Sequence, residues 1–152
     1  YDDEYLPTDA LGDKNNLISQ SGRYIFGKGF TMVGREQSFY PAVYDRETDT
    51  LFSMVGNGYI SAVMDNGIAF LNDAPYYIGT TSYVVDTNGD IMIQTPIVEW
   101  LIAEHNIDLT DYILDGIIII GASEDCRRIA GITNTMNGWR TFVINLDGAP
   151  MQ

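Results

Sequence analysis

The sequence predicts an α+β fold that is mainly antiparallel β: a hairpin-rich sheet or sandwich with one main helix at 95–106. Three observations carry this expectation. Asn-Gly occurs four times and Asp-Gly twice, and these pairs tolerate the positive φ that tight hairpin turns require. Ten Tyr, six Phe and two Trp suit a pleated surface. Only the stretch Thr95–Asn106 is read as a main helix, with apolar residues at helical spacing.

The remaining bulk properties bound the answer. A chain of 152 residues, 45 % hydrophobic and 19 % charged, has the composition of one globular domain with a sizeable core. Its formal net charge is −13. So acidic a surface repels phosphate backbones and anionic lipid, which disfavours nucleic acid and membrane surfaces and favours solubility, cations or a basic partner. Cys126 is the single cysteine, so no internal disulfide forms. Apolar runs such as Ile117–Ile120 are far too short to span a bilayer, so membrane insertion is not expected. The chain opens on Tyr1 without Met, which fits a processed form or one portion of a longer chain.

Residues 1–20 form an acidic irregular arm, 21–149 a single β-rich domain and 150–152 a tail. The arm has Asp2, Asp3, Glu4, Asp9 and Asp13, with Pro7 and Gly12 as breakers and no sustained period. It reads as a disordered tail or as an arm docking on a neighbouring subunit through Tyr1, Tyr5, Leu6 and Leu11. Arg23–Phe26 and Phe30–Val33 are short strand segments around Gly27-Lys28-Gly29. Ala42–Tyr44 and Leu51–Val55 flank a polar turn from Asp45 to Thr50 and predict a hairpin.

Three further hairpins follow from Asn66-Gly67, Asn88-Gly89 and Asn137-Gly138, each expected to turn through type I′ geometry. An acidic or amide residue follows an apolar strand at Asp45, Asp86 and Asn145. The unequal intervals argue against a repeat architecture. In the helix, Thr95 is the expected N-cap and Pro96 the first helical residue. At about 100° per residue, Ile97, Val98, Trp100, Leu101, Ile102 and Ile107 cover more than half the circumference. Asp108 is placed to cap a short second helical turn. Ile117–Ile120 reads as a strand buried on both faces and central in its sheet, with the helix over one side. Strand, helix and strand from Tyr83 to Ile120 then fit one crossover within a mixed sheet. Ser123–Ala130 fits either a short helix or a loop.

Chemical motifs are sparse. Asp86, Asn88 and Asp90 place oxygens at alternate positions, as calcium loops do, but Ile91 and Ile97 stand where the full pattern needs Gly and an acidic residue. A plain hairpin turn is the simpler reading. Cys126 and His105 are the only thiol and imidazole, with no catalytic motif around either; an inert thiol and a helix-terminal cation are the simpler readings. Glu99 with Glu104, or Glu124 with Asp125, has no diagnostic spacing. Gly27-Lys28-Gly29 lacks the Ser or Thr of a phosphate loop, and no hydrolase or zinc-protease signature occurs. No cofactor is implied. Tyr76 and Tyr77, after Pro75, suit either a core or an interface.

Few catalytic groups, many hairpins and many aromatics point to a non-enzymatic structural subunit, of virion or filament type. Its partners are copies of itself or another protein, contacted through β edges, aromatic loops and the arm. A virion or extracellular assembly is the matching location. The alternative is an acidic inhibitor or immunity-type protein that masks a basic partner. A small hydrolase is the weaker alternative.

Overall fold

In the computed structural model, residues 17–54, 58–73, 82–88, 94–112, 115–123 and 125–147 are described, with 29–33, 37–39 and 115 described in backbone only. Among them are eleven strands and one helix: β1 (Leu17–Ile18), β2 (Tyr24–Val33), β3 (Glu36–Asp45), β4 (Thr50–Ser53), β5 (Tyr59–Val63), β6 (Ile68–Asn72), β7 (Ser82–Asp86), β8 (Gln94–Pro96), α1 (Ile97–His105), β9 (Asp115–Ala122), β10 (Arg128–Thr135) and β11 (Gly138–Asn145). The strands form three sheets in chain order, β1 to β4, β5 to β8 and β9 to β11. Every pairing is antiparallel between neighbours in sequence. The mainly antiparallel α+β class is therefore the observed one.

The sheets stack face to face, because the middle sheet is apolar on both sides. Ile60, Val63, Ala69, Leu71 and Val85 pack with Tyr24, Phe26, Val43 and Met54 of the first sheet and its margin. Ala62, Met64, Phe70 and Val84 pack with Ile117, Ile119, Ile129 and Ile144 of the third. Each fully buried aliphatic side chain contributes roughly 1.5–3 kcal/mol.

Several elements differ from expectation for local reasons. Gly27 and Gly29 do not interrupt β2: their backbone groups join the ladder opposite Ala42 and Tyr40, giving one ten-residue strand. The predicted hairpins at Asn66-Gly67 and Asn137-Gly138 form, but not through type I′ turns. Asn66 and Asn137 keep negative φ, and only Gly67 (φ 85°) and Gly138 (φ 88°) are left-handed. An ordinary turn followed by one left-handed residue is the three-residue hairpin geometry. β7 pairs with β8 as a hairpin, while Gly89 of the predicted turn lies outside the described residues. Ser123 and Asp125 to Arg127 belong to the turn between β9 and β10 rather than to a helix. Leu109–Tyr112 is a single turn, in which Asp108 Oδ1 accepts the Thr110 N–H at 2.9 Å instead of capping a helix.

The helix begins one residue later than expected. Thr95 pairs with Val84 in β8, and extended Pro96 (φ −53°, ψ 136°) stands at the N-cap with no side-chain cap bond. Left-handed Asn106 closes it, as the Asn106 and Ile107 N–H groups return to the carbonyls of Ile102 and Leu101. Its buried face is narrow: Ile97 and Leu101 are fully buried, Val98 and Trp100 partly, and Ile102 is exposed. It packs over β7 and β8, with Trp100 edge-on to Phe70 at 6.0 Å, and shares its core with the third sheet. No crossover exists, because β7 and β9 belong to different sheets.

β9 lies at an edge of the third sheet, not its centre. Ile117, Ile118 and Ile119 are buried as predicted, but Ile120 is 51 % exposed. The cause is a bulge. Ala130 pairs with Gly121 and Gly131 with Ile119, so Ile120 is the extra residue.

Candidate interaction surfaces

The three sheets are built on one local plan. At one end of the first, Gly22 N–H donates to the Ser19 carbonyl, Ser19 N–H to the Tyr24 carbonyl, and Ser21 Oγ accepts the Arg23 N–H. In the second, Gly67 N–H donates to Met64, Met64 N–H to Ile68, and Asn66 Oδ1 accepts the Ile68 N–H. In the third, Cys126 N–H donates to Ser123, Ser123 N–H to Arg128, and Asp125 Oδ1 accepts the Arg127 N–H. The left-handed position is Gly22, Gly67 or Cys126.

A backbone bond from the end of the third strand then lands beside each turn: Arg46 N–H on Arg23, Thr87 N–H on Gly67, and Leu146 N–H on Arg127. Asp45, Asp86 and Asn145, opposite Tyr24, Ile68 and Arg128, occupy equivalent places. Bulges recur three residues before the turn, at Ser61 in β5 and Ile120 in β9. The fold is thus a structural repeat, contrary to the expectation from sequence. Its unequal intervals reflect strand and loop length, while the hydrogen-bond plan is constant.

The carboxylates at this end complete turns. Arg23 grips Asp45 with two bonds, Nε to Oδ1 at 2.9 Å and Nη2 to Oδ2 at 2.7 Å, and reaches Glu47 at 2.9 Å. The guanidinium holds the Asp45 carboxyl below the ordinary carboxylate range, helped by the Glu47 N–H. The Ser123 hydroxyl and the Arg127 N–H lower Asp125 likewise. Ser21 donates to Asp65 at 2.5 Å and ties the first turn to the second.

Asp86 and Asn88, two of the three proposed calcium ligands, serve the same purpose. Asp86 Oδ1 accepts the Asn88 N–H and Nδ2, each at 2.9 Å, and Nδ2 also reaches the Asn66 carbonyl at 2.6 Å. These bonds aim an amide N–H at Asp86 where a cation would need oxygen. Asp90, the third, lies outside the described residues. Among the described residues no group of three or more His, Cys, Asp or Glu is gathered to hold a metal.

A second polar device holds the sheets together. Asn72 and Ser82 are cross-strand partners on β6 and β7, both fully buried. Asn72 Nδ2 donates to the Ile119 carbonyl at 3.0 Å, and the Ile119 N–H is shared by Asn72 Oδ1 at 3.3 Å and Ser82 Oγ at 3.0 Å. The Ser82 hydroxyl donates toward Asn72 Oδ1 and the Ile117 carbonyl. Two side chains thus satisfy the open edge of β9, which would otherwise bury unpaired backbone groups. Nothing in the sequence singled out this pair; polar residues bordering the runs Ile68–Leu71 and Tyr83–Val85 were the available signal.

The two outermost faces of the stack are apolar and partly open. On the first sheet, Ile18, Ile25, Tyr44 and Leu51 are successive cross-strand partners and form one row. On the third, Ala130 with Val143 and Ile132 with Thr141 form adjacent rows, with Trp139 on the same face opposite Asn134. Ile18, Leu51, Val143 and Trp139 are exposed.

The other residues singled out from sequence fall apart. His105 Nδ1 lies 2.6 Å from the Leu146 carbonyl, and its ring is 4.5 Å from Trp100, so it ties the helix end to the third sheet. Cys126 packs against the core at its turn. Glu99 and Glu104 are exposed along α1, and Glu124 lies outside the described residues. The proposed contacts Tyr1, Tyr5, Leu6, Leu11, Tyr76 and Tyr77 also lie outside them. Among the described residues no helix is long and apolar enough to cross a membrane. Comparison of the chain with family models, curated proteins and solved structures finds no match.

Proposed function

We propose that the chain is a non-enzymatic assembly module, a structural subunit of a larger particle or filament that contacts other protein through the ends of its sheet stack. The observation that supports this is the pair of outer faces. Between sheets, apolar rows of this kind are covered by a neighbouring sheet; at the two ends, Ile18 and Leu51 on one face and Val143 and Trp139 on the other meet solvent, although Tyr44 and Ile118 beside them are buried. Large apolar side chains exposed together at the ends of a strongly acidic chain support contact with protein. Sedimentation of the full chain over a wide concentration range tests the reading. Concentration-dependent association is expected, and a strict monomer at the highest soluble concentration refutes it.

A second reading, an acidic binder of a basic partner, draws on the net charge of −13 and on the carboxylates gathered at the turn end. Its mark is binding to a basic protein that weakens steeply with salt. Association insensitive to salt favours the apolar ends.

A further inference from the structure

We infer that two copies of this chain join head to tail, the third sheet of each seated on the first sheet of the other, to close a ring of six sheets. The inference rests on the assembly reading above and names the partner, the two faces and the stoichiometry.

Direction comes from the repeat. In the first sheet, Tyr24 and Phe26 of β2 face the second sheet. In the second, the equivalent Ile68 and Phe70 face the third. The equivalent residues in the third are Arg128 and Ala130, so this face is the one that a following sheet would cover. Conversely, Ala69 and Leu71 of the second sheet and Ile129 of the third face the preceding sheet. Their counterpart in the first sheet is Ile25, in the row with Ile18, Tyr44 and Leu51. One end of the chain therefore presents a forward face with Val143 56 % exposed, and the other a backward face with Ile18 58 % and Leu51 43 % exposed. Joining them continues an interface already made twice within the chain.

The two faces differ, so the contact is heterologous and either closes or runs on as a fibre. Four-stranded antiparallel sheets repeated in this way close radially at about 4–8 sheets. Two copies of the three described sheets, two of them four-stranded and one three-stranded, give six and fall within that range, whereas three copies give nine and exceed it. Closure also leaves no apolar end face, unlike a fibre.

Native mass spectrometry and sedimentation velocity on the full chain test this, with Val143→Arg on the forward face and Ile18→Glu and Leu51→Glu on the backward face. Circular dichroism melts confirm that each variant is folded, as expected for exposed positions. The wild type is expected to be a dimer. Each variant alone weakens dimerisation at least tenfold, because each ring carries both faces twice. Mixing Val143→Arg with Ile18→Glu restores a hybrid dimer, whose two contacts are one wild-type pair and one Arg/Glu pair. A dimer indifferent to all three variants overturns the head-to-tail ring and leaves the assembly reading standing. Open chains longer than a dimer overturn closure. A monomer at every concentration overturns both.

Discussion

Asn72 is the most informative single residue for the stack. Its side chain is fully buried and donates to the Ile119 carbonyl across the sheet boundary. In Asn72→Ala that carbonyl loses its donor in a fully buried site, at about 1–3 kcal/mol. The vacated amide leaves a small void, adding about 1 kcal/mol. The expected loss is therefore about 2–4 kcal/mol, a large fraction of a total of about 5–15 kcal/mol. At about 2–4 °C per kcal/mol for a chain of this size, the melting temperature falls by roughly 4–16 °C. Ser82→Ala costs about 1–3 kcal/mol without the added void, because the Ile117 carbonyl loses its hydroxyl donor while the Ile119 N–H keeps Asn72 Oδ1 at 3.3 Å. The two effects are non-additive, since both side chains serve one backbone unit. Urea unfolding followed by Trp fluorescence reads all three. The reasoning is refuted if Asn72→Ala stays within about 0.5 kcal/mol of wild type, the range of a featureless surface change.

Further outcomes follow from the backbone and the ion pairs. A Cβ at position 131 would stand 2.3 Å from the Ile118 carbonyl oxygen and 2.6 Å from the Phe142 ring, whereas one at left-handed position 138 meets nothing within 4 Å. Gly138→Ala should thus cost about 1–2 kcal/mol for its positive φ alone, and Gly131→Ala distinctly more, in parallel urea titrations. Asn106→Gly, at the exposed left-handed helix end, should stabilise by up to about 1 kcal/mol, and a lower melting temperature would contradict the assigned cap. Asp45 has its pKa lowered in the folded state, so the unfolded chain binds the proton first on acidification. Its contribution is full above the unfolded carboxyl value of about 3.9 and is lost as pH falls through the folded value. Asp45→Asn should be less stable at neutral pH and show a flatter acid limb in melts between pH 7 and 2.5 (roughly the span of the titration); an unchanged limb would remove Asp45 from the account.

The class of fold was legible because hairpins announce themselves locally. Gly67 and Gly138 mark left-handed positions whatever the exact turn, and the polar loop after Asp45 separates β3 from β4. The repeat was visible only as a trace, in the equivalent places of Asp45, Asp86 and Asn145. Its turns read Ser-Gln-Ser-Gly, Met-Asp-Asn-Gly and Ser-Glu-Asp-Cys. One set of backbone bonds is served there by a hydroxyl, an amide or a carboxylate, and Cys126 takes the position that glycine holds elsewhere. Sequence similarity is not required by such a plan. The placement of Ile117–Ile120 failed for a related reason: four isoleucines record hydrophobicity but not a bulge, nor the two polar side chains on other strands that satisfy an edge. The end faces were hidden because Ile18, Leu51 and Val143 look like ordinary strand residues until the register fixes their side of the sheet.

The most direct test of the stack and its open ends is methyl NMR of the full chain on dilution. Signals from Ile18, Leu51 and Val143 should shift with concentration, while those from Ile117 and Ile119, buried between sheets, stay fixed. End-face signals that do not move while the particle mass changes would contradict the account.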